Sequence, residues 1–428
     1  MEEAVENEAI SYLSNYLKIN TTNPPGKERF AAEFLEKILD KEGISVERLS
    51  WNSYRPNLLA RIKGNGEKKP FLLLNHMDVV KADYENAFTG EVKDGYVHGR
   101  GALDMKGFGI MQLMVLLLAK REGLNLKRDL IFLAVCDEES GGTKGMEYLV
   151  DKHFEEICPE YALSEGSFGT KGIASRDVIY GYAIADKAPV WLRMKVKGQP
   201  GHGSMPIKNS AINQTVLALE KIINDDSCIR FTEESKEFFK QLGSLQTFPK
   251  SCILKNVYKQ PYLSLAKSQL TSQKTLNAVI RDTISITSLK SGDKENVIPG
   301  YCEATLDCRI LPGKKPSEFI EDLKTIVDNG NIRFEVIKSE EPVSSQPYTE
   351  FYDVLKDVLK KPLVPMISPA ITDLRFLRKK GVTSYGLTPI VLMKDDLDMI
   401  HGNDEKISVK NLLDGVEKTY EVVKKMCV

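Results

Sequence analysis

Much that would steer a reading elsewhere is missing from this chain. Net charge is almost absent, with 59 basic against 60 acidic residues, so the chain as a whole lacks the basic face that nucleic acid or an anionic membrane would require and leaves only local patches open. Cysteine pairing is absent too. The seven cysteines (Cys136, Cys158, Cys228, Cys252, Cys302, Cys308 and Cys427) form no CxxC pair and are odd in number, which reads as free thiols in a reducing compartment. None sits in a nucleophile context, which sets aside a cysteine hydrolase. The start, Met1-Glu2-Glu3-Ala4-Val5-Glu6, has neither the basic residues nor the apolar core of a secretory signal. The longest apolar stretch, around 110–119, is about half the roughly 20 residues of a membrane span. These absences together predict a cytoplasmic protein. Short-period repeats and low-complexity tracts are missing as well.

What is present is a chain of 428 residues, 42% hydrophobic and 28% charged, too long for one core and expected to form two or three domains. Helical spacing predicts helices over 4–19 and 27–41, separated by the breaker Thr21-Thr22-Asn23-Pro24-Pro25-Gly26. Short strands follow at 44–49 and 57–62. Residues 71–74 and 130–136 are continuous apolar runs, the pattern of central strands covered on both faces, and 161–164 reads as another short buried strand. Each leads into an acid: Asp78 after His76, the pair Glu138-Glu139, and Glu165. In open α/β sheets, sites form outside the carboxyl ends of the strands.

The adjacent pair Glu138-Glu139 is either a solvated acidic turn or two repelling charges held by something positive. His76 and Asp78 share a side of an extended chain, so the carboxylate can accept a hydrogen bond from one ring nitrogen and leave the other for a metal; the alternative is a pair that merely caps a loop. Asp104, at the entrance of an apolar helix over 108–119, is an N-cap or an acidic ligand. The nearby Gly99-Arg100-Gly101 is neither GxGxxG nor a Walker loop, which weakens a nucleotide reading.

From about 188 the pattern changes to a half-exposed strand at 190–197, followed by a helix at 209–223, strands at 283–289 and 301–310, a helix at 316–327 and a strand at 332–337. That order is ferredoxin-like, with an insert at 225–283. The predicted division is therefore 1–187, 188–340 and 341–428. The last part carries a helix at 348–360, a strand at 383–387, the stretch Ile400-His401-Gly402-Asn403-Asp404-Glu405 and a final helix at 409–424. Of the five histidines, His76, His202 and His401 sit in Gly- or Asp-rich turns, as ligands and catalysts do. Two imidazoles among several carboxylates suit zinc or a similar metal better than magnesium. His98 has no assigned role and His153 reads as surface.

Taken together, His76-Met77-Asp78, the stretch from Gly99 to Gly107, Asp137-Glu138-Glu139-Ser140-Gly141-Gly142, Glu165-Gly166, Gly201-His202-Gly203-Ser204, Asn296-Val297-Ile298-Pro299 and His401-Gly402 resemble the M20 metallopeptidase family in order and across nearly the whole chain. The resemblance implies an α/β fold, a zinc-peptidase-type mixed sheet flanked by helices with an inserted ferredoxin-like α+β lid, so that 1–187 and 341–428 are the first and second parts of a catalytic domain and 188–340 is the lid or dimerisation domain. It implies two zinc ions, with cobalt or manganese as substitutes: one held by His76 and Glu165, one by Glu139 and His401, with Asp104 bridging and a cis peptide after it. Asp78 matches the acid that orients the first histidine, and Glu138 the general base. His202 matches a lid histidine that, in dimeric members, reaches the neighbouring subunit's site. Asn296, Arg309, Thr372 and Arg375 match substrate-contacting positions; local roles for the last three stay open. The implied activity is hydrolysis of the amide bond of an N-acyl amino acid or a short peptide with a free carboxylate, and a dipeptidase or carboxypeptidase reading stands beside the deacylase one. A two-metal phosphoesterase and an inactive binding relative are the rivals from other classes. The expected partners are the small substrate and, through the lid, a second copy of the chain, with no nucleic acid and no membrane. The long insert resembles the carboxypeptidase S-like branch and leaves open whether His202 acts within its own chain.

Overall fold

The structure, a computed structural model, describes residues 2–172, 175–225 and 229–428; Cys228 and part of the 225–283 insert lie outside the described residues. The chain forms two compact units, one of Met1–Ile184, Ser345–Met366 and Thr372–Val428, the other of Ala185–Ser344 with Ile367–Ile371.

In the first unit an eight-stranded mixed sheet runs in the order Val46–Arg48, Leu58–Ile62, Leu130–Val135, Phe71–His76, Tyr161–Thr170, Thr383–Leu392, Ile179–Asp186, Leu363–Ser368. Phe71–His76 pairs in parallel with both Leu130–Val135 and Tyr161–Thr170, and Thr383–Leu392 is parallel to the latter. The two apolar runs at the centre are buried along their whole length. Side-chain alternation sorts them: Phe71, Leu73, Leu130, Phe132 and Ala134 join one apolar cluster, and Leu72, Leu74, Ile131, Leu133 and Val135 another. Both faces of the sheet are thus covered, which is why these strands read as unbroken hydrophobic runs. The helix Lys106–Arg121 is buried on nearly every side, lying against the sheet and the helices Glu3–Leu17 and Val409–Cys427.

One strand differs from expectation. It does not end at Ser164 but continues to Thr170, so Glu165 lies within it. Gly166 at φ +137° and irregular pairing with Thr383–Leu392 re-aim the chain there, a break that hydrophobicity alone does not report.

The second unit has a four-stranded antiparallel sheet in the order Thr283–Lys290, Tyr301–Ile310, Ala188–Lys197, Ile332–Ser339. Inward residues Val190, Leu192, Met194 and Val196 meet Ala304, Leu306, Cys308 and the helices Ala211–Ile223 and Pro316–Val327. Four short helices, Glu233–Ser244, Lys250–Lys255, Tyr262–Ser272 and Lys274–Val279, build a separate small core around Phe239, Val257, Ala266, Leu270 and Ile280.

Candidate metal centre

Parallel central strands point their carboxyl ends the same way, and the candidate ligands collect at that edge. His76 is the last residue of its strand. After Leu130–Val135 the chain turns at Asp137, whose φ of +72° is uncommon for a residue with a Cβ. The turn is closed by Ser140 and Gly142 amides donating to the Asp137 carbonyl at 3.2 and 2.6 Å. Gly142 also has positive φ, and a Cβ there would stand 2.4 Å from Asp373 Oδ1. The Asp104–Met105 peptide is cis.

Asp104 joins two clusters. Its Oδ1 is 3.1 Å from His76 Nε2, which is also 3.4 Å from Glu165 Oε1. Its Oδ2 is 2.9 Å from His401 Nε2, which is 3.7 Å from Glu139 Oε2. His76, Asp104 and Glu165 therefore form one group of potential metal ligands and Asp104, Glu139 and His401 a second, sharing Asp104. Ligand atoms about 2.0–2.1 Å from a tetrahedral zinc lie roughly 3.3 Å from one another. The observed separations match that spacing, and the donors, imidazole and carboxylate, suit zinc or a similar divalent ion.

Electrostatics give the same result. Burial pushes the Glu139 carboxyl up to about 8, with repulsion from Asp104 adding to it. Glu165 rises to about 7 through burial, again reinforced by Asp104 and opposed by His76. Burial also lifts Glu138 well above the ordinary range; His76 opposes the rise, and Glu165, Asp373 and Glu139 add to it. Asp104 goes the other way. Burial would raise it, but hydrogen bonds from His401 and His76 hold it well below the usual carboxylate range. Its hydrogen bond to Asp104 raises His401 to about 9. The acids thus raise both imidazoles above their ordinary range, and positive charge is favoured at the two places where the ligand groups converge.

Around the ligands lies a buried polar layer that the sequence reading reached only in part. His76 Nδ1 donates to the Asp78 main-chain carbonyl at 3.0 Å, with the carboxylate farther away at 3.6 Å. That carboxylate instead accepts the amides of Glu138 at 3.3 Å and Glu139 at 3.1 Å, and Asn23 Nδ2 at 2.8 Å. Asp78 therefore orients the histidine through its backbone and the acidic pair through its side chain. Arg55 Nη2 donates to Glu28 at 2.6 Å and to Asp137 at 2.9 Å, all three buried. Glu405 accepts Arg100 at 2.7 Å and the amides of Gly101, Leu103 and Asp104 at 3.0, 2.8 and 3.1 Å. Asp137 and Glu405 stood inside the motifs with no role, and Asn23 looked like part of a helix stop. Nothing in the sequence singled out Glu28 or Arg55.

The remaining candidates divide between the units. Arg375 is buried and donates to the carbonyls of Thr372 at 2.8 Å and Gly141 at 2.7 Å, bracing the acidic loop; its Nη1 lies 3.9 Å from Asp373. Thr372 is buried beside it in sequence. Among the described residues, neither oxygen of Asp373 has a hydrogen-bond partner. His202, Asn296 and Arg309 belong to the second unit. His202 is exposed, with Nδ1 2.8 Å from Ser204 Oγ, in a short ladder where Gly203 N donates to the Asn296 carbonyl at 2.8 Å. Arg309 donates to both carboxylate oxygens of Asp307, at 2.7 and 3.0 Å, and lies over the Trp191 ring.

Comparison with known proteins identifies the family. The profile of Peptidase family M20/M25/M40 matches residues 72–425. The N-fatty-acyl-amino acid synthase/hydrolase PM20D1 of Xenopus tropicalis is 30% identical over 359 residues, covering 79% of this chain and 69% of that protein. Aminoacylase-1 of Sus scrofa is 28% identical, over 96% of this chain and 93% of its own. Among solved structures, the M20 family metallo-carboxypeptidase Sso-CP2 from Sulfolobus solfataricus superposes with a TM-score of 0.73 at 17% identity, covering 99% of each chain.

Proposed function

The chain belongs to the M20/M25/M40 peptidase family, and from that premise we propose that it is a two-zinc amidohydrolase acting on an N-acyl amino acid or a short peptide with a free carboxylate. The observation that carries the reading is Asp104, one carboxylate whose two oxygens each face a histidine of a different ligand group. His76 and Glu165 would hold one ion, Glu139 and His401 the other, with cobalt or manganese able to replace zinc. Bound there, the ions would supply Lewis-acid polarisation of the scissile carbonyl and an acidified water.

The chain's own groups do the rest. Glu138 shares the turn with Glu139 but is absent from both ligand groups, so its carboxylate is the base that takes the water's proton and returns it to the leaving nitrogen. The Asp78 side chain holds the amides of both glutamates and thereby keeps base and ligand aimed apart. His202 is assigned to the developing oxyanion. Asn296, Arg309 and Thr372 are assigned to substrate, Arg309 to its carboxylate; Arg375, the fourth position the resemblance offered, is engaged by the Thr372 and Gly141 carbonyls and acts by bracing the acidic loop. The 188–340 lid carries the first three groups of that list of partners, His202, Asn296 and Arg309, and is the surface for a homodimer. Free thiols, including buried Cys136, Cys302, Cys308 and Cys427, suit a cytoplasmic location.

Deacylation is placed ahead of peptide cleavage on the match to aminoacylase-1, 28% identical over 96% of this chain, against 17% identity for the carboxypeptidase structure. The test is metal analysis with a substrate screen. Zinc-loaded protein should contain about two ions per chain and turn over N-acyl amino acids faster than dipeptides. Glu138→Gln should keep the metal and lose about 10²–10⁴-fold in kcat; undiminished turnover by that variant rejects the base assignment.

A further inference from the structure

The near-perfect charge balance of the whole chain conceals one segment that breaks it. Residues 238–281 contain no aspartate or glutamate, while Lys240, Lys250, Lys255, Lys259, Lys267, Lys274 and Arg281 lie within them. A protein with 60 acids in 428 residues would place about six in a stretch of this length if they were spread evenly. All six lysines are exposed. Lys240 has an acid within reach only outside the run, in Glu237 at 3.5 Å. Lys250, Lys255, Lys259 and Lys274 have no carboxylate partner among the described residues.

The fold concentrates this charge. The helix Lys250–Lys255 has six residues and is about 9 Å long, so Lys250 at its start and Lys255 and Lys259 at and beyond its end add their fields within about one to two Debye lengths. Gly243 allows the close crossing that folds this helix back on Glu233–Ser244, since a Cβ there would meet the Lys255 amide nitrogen at 3.0 Å. The turn between the two helices carries Phe248, 84% exposed and next but one to Lys250, with Leu245 also exposed. On the following helix, Tyr262–Ser272, Leu265 is 69% exposed two residues from Lys267.

From this pattern we propose that the 238–281 segment is a docking surface for an anionic lipid bilayer, a role separate from hydrolysis. Lysines attract the surface as diffuse point charges, and the aromatic tip and aliphatic side chains enter the headgroup boundary. A nucleic-acid surface is less well matched: the exposed cations are all lysine, without the planar guanidinium that pairs bidentately with phosphate, and exposed leucines have no base to stack on. Among the described residues no helix is long and apolar enough to cross a membrane, so the contact is peripheral.

The test is co-sedimentation of the zinc-loaded full chain with vesicles of phosphatidylcholine alone or with 30 mol% phosphatidylserine, which serves as the probe composition, at low and high salt. The expected result is binding only to the serine-containing vesicles, lost at high salt. Each lysine removed should weaken it about five-fold. Lys250→Glu/Lys255→Glu/Lys259→Glu should abolish it while turnover of a water-soluble acyl amino acid stays unchanged, which shows the protein is folded. Phe248→Ser should weaken binding and leave its salt dependence intact. Equal binding to both vesicle types, or binding unaffected by the triple reversal, overturns the proposal. So does salt-sensitive binding to a DNA or RNA oligonucleotide with none to vesicles, which would make the patch a nucleic-acid surface.

Discussion

Arg55 is the residue on which the acidic turn most depends. It neutralises Glu28 and Asp137 away from water, and removing it leaves Glu28 without its cation and Asp137 with only the exposed Lys144 amine at 4.0 Å. Arg55→Met should cost about 3–5 kcal/mol in equilibrium denaturation. Because Asp137 leads directly into Glu138 and Glu139, zinc affinity should also fall about 10–100-fold by titration, and Arg55→Lys should recover only part of either loss, since an ammonium cannot reproduce the fork. A second residue makes a pH prediction away from the metal. Burial lowers Lys187 to about 7, with Asp282 opposing and Arg309 and Arg230 assisting, and its amine donates to the Arg281 carbonyl at 2.8 Å and Thr283 Oγ1 at 2.9 Å. The folded value lies below the unfolded one, so between about 7 and 10.4 the unfolded chain holds a proton that the folded chain has released. Stability should therefore rise with pH from 7 towards 9, by at most about 1.4 kcal/mol per pH unit from this group. Calorimetry of the wild type against Lys187→Met should show that rise only in the wild type; parallel curves would refute it.

At the level of elements, the acidic loop depends on two glycines and a strand end. Gly142→Ala should cost about 1–2 kcal/mol for its left-handed backbone alone, more for the 2.4 Å approach to Asp373, and should release zinc measurably in an equilibrium dialysis assay. The elements that were legible in sequence share a cause. Residues 71–74 and 130–136 were readable as central strands because both sheet faces bury them, and the helix Pro316–Val327 because proline sets its first turn and apolar spacing its length. The six metal-site candidates His76, Asp104, Glu138, Glu139, Glu165 and His401 were readable because glycine-rich turns and strand ends mark them locally. What stayed hidden is long-range: Arg55 is 82 residues from Asp137, and Glu405 is 301 residues from the Asp104 amide it accepts. Neither pairing leaves a periodic or compositional trace. The continuation of Tyr161–Thr170 past Glu165 escaped for a related reason, since Gly166 and Gly169 interrupt the apolar run without ending the strand.

On the scale of the whole molecule, every candidate ligand belongs to the first unit, while the second has its own cores. Metal should therefore act unevenly. In calorimetry, chelation should lower the unfolding temperature of the first unit and leave that of the second in place, and free zinc at 100 times its Kd should return about 2.7 kcal/mol to the first. Two transitions that move together would contradict this. The position of Asp104 between its histidines has one more consequence, which concerns the order in which the chain is made. His76, Asp104 and Glu165 lie in one early stretch of the sequence, whereas His401 follows Asp104 by 297 residues. A nascent chain thus owns one ligand group well before it can close the second, so the shared carboxylate waits half-satisfied until His401 is made.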